Sequence, residues 1–511
     1  MTAFRYWRWV ALAMLLITLT GVIIICEHFN NNSNVCLGIP VKEEEILSSL
    51  QTVDYDYSKN LYFNDELCAI DKTTKTIYIS QSIDTSTSKK SLTGKLRIDI
   101  NGYYLNFIDN GAFDNIAFTV SEGKSFRLAI INPLKQYTEY TVVFTTLPVI
   151  SLNGEETHID EENRKISTGE LCIWDPSDPD TGRYSVKTSS LEWHVRGNSS
   201  ALFKKKPYKL SLKDKDNENK NLSMLGLGED DDWILNPMNA DDTYLREALL
   251  TQLWNSHLAT EDYNYKMSAG GYVEVIKNGE YFGLYTLQRR IDKKYLSLEE
   301  NDILFKGSNL LVSDDPTDLY EIVYSPYDDE RTYSIAQEIG LFDQNAPYSP
   351  ENIADIQIFV SFASALDNLK NKNMFFLFKA DGDSYRVYLI PWDMDLSFGL
   401  HYDMGIEYNY DFCLNVDSTR NEFYTVSAQN SSFYKETALR WQELRKTALT
   451  EETIFGYIES SNLELSQSGA VIRNTNKWGL LHDGENTIEG LRRFISDKLK
   501  NLDAYYAKFI K

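Results

Sequence analysis

An uncharged stretch from Trp9 to Cys26 constrains this chain more than any other feature. Roughly 18 residues in helical form rise about 27 Å, close to the ~30 Å hydrocarbon core of a bilayer. Arg5 and Arg8 precede the stretch and Glu27 follows it. That asymmetry predicts a single-pass anchor in the cell membrane, with the N-terminus cytoplasmic and the body extracytoplasmic. A cleaved signal peptide would lead to the same compartment, but Val22 to Ile25 lacks the small residues of a cleavage site, and the same lack disfavours a lipid on Cys26. Of the five cysteines, Cys36, Cys68, Cys172 and Cys413 lie beyond the anchor. One or two bridges are possible among them, with a pairing that spacing does not define.

The predicted organisation is a cytoplasmic N-terminus (1–8), the transmembrane helix (9–26), a polar stalk (27–60), a small all-β sandwich (61–146) and a larger body (147–511). The sandwich is read from short alternating runs such as Leu96, Ile98 and Ile100, or Tyr140, Val142 and Phe144, separated by Asn-Gly turns. The body opens with strands, Leu191 to Val195 and Tyr208 to Leu212 among them, around the lysines Lys204 to Lys206. A helix capped by Asp242 or Thr243 presents Leu245, Ala248, Leu249 and Leu253 on one face. A hairpin about Asn278-Gly279 follows, then a buried helix from Ile353 to Asp367, a second hairpin about Asp381-Gly382-Asp383, and C-terminal helices. Such an order predicts an α+β body with a strand-rich half and a helical half. A formal charge of −24 excludes nucleic acid as a partner, because a polyanion would be repelled.

Familiar catalytic motifs are missing. The six histidines form no His-x-x-x-His pair, and there is no Gly-x-x-x-x-Gly-Lys loop, Gly-x-Ser-x-Gly elbow or Cys-x-x-Cys. Pro391-Trp392-Asp393-Met394-Asp395 stands out instead, two carboxylates entered from the apolar run Val387 to Ile390 and followed by Leu396-Ser397-Phe398-Gly399. Trp392 and Phe398 should hold this segment near the core, where paired carboxylates are costly unless a divalent cation matches them. Upstream, Asp367 and Asn373 supply a carboxylate and a carboxamide suited to phosphoryl transfer. Arg196-Gly197-Asn198-Ser199-Ser200, with Lys205-Lys206-Pro207-Tyr208-Lys209, combines close backbone approach with cations able to neutralise phosphate oxygens.

From Leu147 to Phe509 the chain resembles the spore coat protein H (CotH) kinase family. The resemblance is carried in order by Leu147-Pro148-Val149-Ile150, the RGNSS and KKPYKL segments, and Trp233-Ile234-Leu235-Asn236 with Leu245-Arg246. It continues through Asn278-Gly279-Glu280-Tyr281 with Gly283-Leu284-Tyr285, Ile291-Asp292, and PWDMD with Phe398-Gly399. The resemblance implies an atypical protein-kinase-like two-lobed fold, ATP with Mg2+ or Mn2+, and transfer of the γ-phosphoryl group to a hydroxyl of a protein substrate in the cell envelope or spore coat. It further implies Asp367 as catalytic aspartate, Asn373, Asp393 and Asp395 on the metal, and Arg196 with Lys205 or Lys206 at the nucleotide phosphates. Arg289 stands where family members usually carry glutamate; it is expected to face the cleft and to contact phosphate or perturb the lysine, slowing transfer. A non-catalytic envelope or surface binding protein using the same fold, and a calcium-stabilised adhesive module, are the alternatives.

Overall fold

The computed structural model describes residues 34–36, 40–83, 94–197, 199–259, 263, 265–307, 315–341, 346–368, 372–401, 405–406, 432–482 and 485–510. The expected anchor, residues 9–26, lies outside this set, as do Asn198, Lys370, Asn371 and Cys413. No helix among the described residues is long and apolar enough to cross a membrane. The architecture is mixed α+β.

The N-terminal part is two β-sheets closing over a core that includes Leu61, Ile77, Leu96, Phe107, Phe126, Leu128, Tyr140 and Phe144. The segment expected to be a stalk contributes to these sheets. Asn34–Cys36 pairs with Lys95 to Arg97, Val41–Lys42 with Ile108 and Asp109, and Gln51–Thr52 with Gln136 and Tyr137. Polar composition misled here because edge pairing uses main-chain groups, and the side chains of Gln51 and Thr52 stay exposed. Cys68 and Cys172 are free, Cys68 buried as a small apolar residue in this core, so neither supplies an expected bridge.

Seven strands then close a barrel, in the order Val149–Ile159, Lys165–Asp178, Arg183–Val195, Tyr208–Lys213, Asp232–Asn236, Glu280–Arg289 and Gly270–Lys277. The ring is completed by parallel pairing of Val149 to Leu152 with Glu274 to Lys277. Alternation sends Leu171, Ile173, Leu191, Trp193, Leu210, Leu212, Trp233 and Leu235 into the barrel interior. The last two strands form the expected hairpin, with Asn278 and Gly279 at φ 52° and 74°, the left-handed pair that a two-residue turn requires.

Beyond the barrel, a second sheet runs in the order Tyr320–Tyr324, Ile303–Gly307, Met374–Asp381, Ser384–Pro391. The helix Pro350–Ala363 packs against it, buried along nearly its whole length; its cap is Ser349, whose side chain accepts from Asn352 N. That helix stops at Ser364, in the left-handed conformation, so Asp367 lies past its end in the short turn Leu366–Asn368. The C-terminal helices Phe433–Leu444, Glu451–Ser468, Ala470–Trp478 and Ile488–Tyr506 complete the main core, the last burying Leu491, Phe494, Leu499 and Leu502.

The sandwich is docked on the barrel hairpin. Tyr281 N donates to Asp71 Oδ2 at 2.9 Å, Lys72 N donates to Gly279 O at 2.7 Å, and the rings of Tyr78 and Tyr281 stack with centroids 5.0 Å apart. Beneath the stack, Arg473 donates to both oxygens of Glu274 at 2.9 and 2.6 Å, and Tyr281 Oη donates to Oε1 of the same carboxylate at 2.7 Å. A second contact meets the corner between the helices Glu451–Ser468 and Ala470–Trp478, where a Cβ on Gly469 (φ 68°) would sit 2.1 Å from Val120 O.

Candidate functional site

The carboxylates singled out in the sequence sit where the barrel meets the second sheet. The strand Ser384–Pro391 ends at Pro391, and Trp392 N donates to Asn373 O at 3.2 Å. Asp393 then turns the chain with φ 57°, which Asp tolerates better than most residues. Met394 and Phe398 anchor the turn in the core, Phe398 N donating to Ala363 O at 2.6 Å with its ring against Phe362.

One fully buried arginine fixes the far side of the loop. Arg246 opens the helix Arg246–Leu253 and donates from Nε to Ser397 O at 2.9 Å, and from Nη1 to Asp241 Oδ1 at 2.5 Å and Asn486 Oδ1 at 2.8 Å. The N-cap position is Leu245, whose side chain caps nothing, and the free N–H groups at this end go to Asp241 rather than to the expected Asp242 or Thr243. The Asp241 carboxylate accepts from the backbone N–H groups of Thr243, Leu245 and Arg246 at 3.0, 3.0 and 2.9 Å, because it can do so while neutralising the Arg246 guanidinium. Asp242 instead accepts from Leu481 N and His482 N at 2.9 and 2.8 Å.

The same helix brings in Glu247, a carboxylate that sequence reading missed. Asn236 Nδ2 donates to its Oε2 at 2.8 Å. Burial, then the charge of Asp393, pushes the Glu247 carboxyl up to about 7. Burial likewise holds Asp395 well above the usual carboxylate range, with Asp393 and Glu247 adding to the effect. Asp393 is raised by burial and by Asp367, and lowered by Arg196, Lys306 and Lys372. Burial and mutual repulsion thus make these acids costly, with three cations offsetting part of the charge on Asp393.

Asp367 and Asn373 are joined. Asn373 Nδ2 donates to Asp367 Oδ2 at 3.1 Å, and Lys372 is hydrogen-bonded to Asp367 Oδ1. Asn368 holds the turn to the Asp393 segment, donating to Asn373 O at 3.0 Å and to Trp392 O at 2.8 Å. With Nδ2 engaged by Asp367, the Asn373 side chain has its carbonyl oxygen left as a ligating group.

The expected cations divide. Arg196 lies over the Trp392 ring at 5.1 Å; burial lowers its pKa and the charges of Asp393 and Glu247 oppose that. The other three are engaged elsewhere. Lys205 is buried with its amine on Pro237 O at 2.8 Å and on Leu284 O, above the ring of Tyr285, and burial pushes it well below the usual lysine range. Lys206 Nζ donates to Ala201 O at 2.7 Å. Arg289, expected to face the cleft, donates instead to Asp230 Oδ2 from Nε at 2.9 Å and from Nη2 at 2.7 Å, and to Leu227 O at 3.3 Å. The strand alternates, so Gln288 rather than Arg289 is the residue beside Glu247.

Among the described residues no three His, Cys, Asp or Glu side chains close on one point as a ready-made metal cage. The donor set nonetheless suits Mg2+, which takes one or two carboxylates and completes its octahedron with water and phosphate oxygens. The indole N–H of Trp392 and the Asn368 Oδ1, flanking mutually repelling carboxylates, are buried polar groups that lack a counterpart among the described residues. A family model described as CotH kinase protein matches residues 193–340 and 350–502, more than half of the chain. A comparison with curated proteins finds no match.

Proposed function

Starting from a chain that belongs to the CotH kinase family, we propose that it transfers the γ-phosphoryl group of ATP to a protein hydroxyl on the extracytoplasmic face of a membrane. The observation that carries this reading is the gathering of Asp393, Asp395 and Glu247 beside the Asp367–Asn373 pair, with an arginine facing the same carboxylates. Asp393, Asp395 and the Asn373 carbonyl would hold Mg2+ or Mn2+. When bound, that ion neutralises charge on the phosphate oxygens.

Asp367 has the part of base. As the acceptor oxygen forms its bond to phosphorus and the bond to the β-phosphate oxygen breaks, the hydroxyl proton passes to the Asp367 carboxylate and ADP departs with the electron pair. Lys372 and Asn373 orient that carboxylate by donating to its two oxygens. Arg196, held against Trp392, stabilises negative charge on the phosphates. The two-lobed kinase-like arrangement fits a barrel and a helical part meeting at this site, and an envelope or spore-coat protein is the substrate in keeping with the extracytoplasmic reading.

One observation favours the non-catalytic alternative. The amine of Lys205 is buried and engaged by two main-chain carbonyls. Asp393→Asn separates the readings, since asparagine keeps the φ 57° turn while removing the charge. Calorimetry should show Mg-ATP affinity at least tenfold weaker in the variant, with the unfolding midpoint unchanged or raised. A wild-type protein that binds no Mg-ATP would leave the binding-module reading in possession.

A further inference from the structure

Several buried or half-buried cations among the described residues have a close acceptor. Arg246, Arg473 and Arg440 each meet a carboxylate at hydrogen-bonding distance, and Lys205 meets two carbonyls. Three cations beside the candidate site break the pattern. The guanidinium of Arg196, just past the strand Arg183–Val195, makes no hydrogen bond or ion pair with any described residue and lies over the face of Trp392. Lys306, from the central strand Ile303–Gly307, lies 5.0 Å from the centre of the same ring, and its nearest carboxylate, Glu321, is at 3.8 Å, beyond hydrogen-bonding range. Arg290, just after the strand Glu280–Arg289, reaches Asp232 only at 3.5 Å, and Lys209 already holds that carboxylate at 2.9 Å.

The three come from separate elements and face one another. Burial lowers Lys306; the charges of Arg196 and Arg290 add to the effect, and those of Glu321 and Asp393 oppose it. Asp393, Glu247 and Glu321 offset part of this charge without contacting Arg196 at hydrogen-bonding distance, and an anion in direct contact would complete the group. The local acids do not supply it, because Asp393 and Asp395 are the residues a divalent cation would take. What fits is a polyanion with oxygens spread over several ångströms, met by two planar guanidinium forks and one point-like ammonium. Trp392 is the platform that keeps Arg196 and Lys306 together despite their repulsion, since an indole face attracts cations.

We propose that Lys306, Arg290 and Arg196, arranged about Trp392, form the polyphosphate grip of this protein, binding the triphosphate of a nucleoside triphosphate in the role expected of Lys205 and Lys206. Lys205 is then a structural lysine that ties the loop before the strand Tyr208–Lys213 to the neighbouring strands. Glu321 is the resting counter-ion of Lys306, released as phosphate oxygens arrive. The inference rests on the phosphoryl-transfer reading for the identity of the ligand, though not for its charge.

The test is calorimetric titration of the full chain with Mg-ATP and, separately, with inorganic tripolyphosphate. The variants are Lys306→Gln, Arg290→Gln and, as a distant exposed cation, Arg331→Gln. Lys306→Gln and Arg290→Gln should each weaken Mg-ATP binding at least tenfold without lowering the melting temperature of the ligand-free protein, whereas Arg331→Gln should change affinity less than twofold. Wild-type binding of Mg-ATP with unchanged affinity in both site variants overturns the grip and leaves the kinase reading intact. Binding of tripolyphosphate but not of Mg-ATP, lost in both variants, supports the grip and overturns the nucleotide. Binding of neither ligand by the wild type overturns both.

Discussion

Glu247 shows how a single residue can report on the site. Its folded-state pKa of about 7 lies above the value for an unfolded glutamate, so the folded protein favours the protonated form. The contribution is undiminished below about pH 4.5 and is lost as pH rises through about 7, where the folded state must carry an ionised carboxylate beside Asp393. Glu247→Gln keeps an oxygen for Asn236 and removes the charge. In chelator the variant should be more stable than wild type by about 1–3 kcal/mol at pH 8, and no more stable at pH 5, as read from denaturant midpoints. Equal stability at both pH values would show that Glu247 is not coupled to the aspartates. The sequence offered little route to this residue, because a glutamate in the first turn of a helix is ordinarily a favourable end charge. Its neighbour Arg246 was legible as part of a motif, and a second charge beside it on an otherwise apolar helix was the available signal. Lys205 and Lys206 were illegible for a different reason: adjacent lysines look alike in sequence, and only the fold shows the Lys205 amine resting on the main-chain carbonyls of Pro237 and Leu284.

At the scale of elements, the readings that succeeded rested on local rules. The Asn278-Gly279 hairpin, the buried helix expected over Ile353 to Asp367, and the strands about Asp381-Gly382-Asp383 need only turn chemistry and apolar runs to be recognised, and all three form, though the helix ends at Ala363. The stalk failed because strand addition at a sheet edge leaves almost no pattern in side chains. Nor did periodicity mark the corner between the helices Glu451–Ser468 and Ala470–Trp478, whose Gly469 is a long-range requirement. A Cβ there meets Val120 O at 2.1 Å with the backbone at φ 68°. Gly469→Ala should therefore cost about 2–4 kcal/mol, the left-handed penalty plus the clash. Gly456, inside the first of these helices with nothing within 4 Å of a Cβ, is the matched control. Gly456→Ala should stabilise by about 0.5–1 kcal/mol, and urea unfolding of the pair measures both.

The whole molecule is less divisible than its sequence suggests. The family match begins at residue 193, yet the barrel begins at Val149, and its hairpin is covered by the sandwich through Asp71, Lys72 and Tyr78. A chain restricted to residues 147–511 would expose the apolar surface that Ala69, Tyr78 and Val143 cover, and would admit water to the Glu274–Arg473 pair. Its stability should fall by roughly 3–6 kcal/mol relative to the two-part protein, visible as faster proteolysis and a tendency to aggregate. A monomeric fragment melting with the full chain would show that the sandwich is only an attachment. If it is integral, its strands would also set the reach of any tether. Among the described residues pairing begins at Asn34, so the anchor proposed to end at Cys26 would leave roughly seven residues between them, a leash of at most ~25 Å. On so short a leash the molecule would work within about its own diameter of the lipid surface, and its substrates would have to be brought to it or be neighbours in the same membrane.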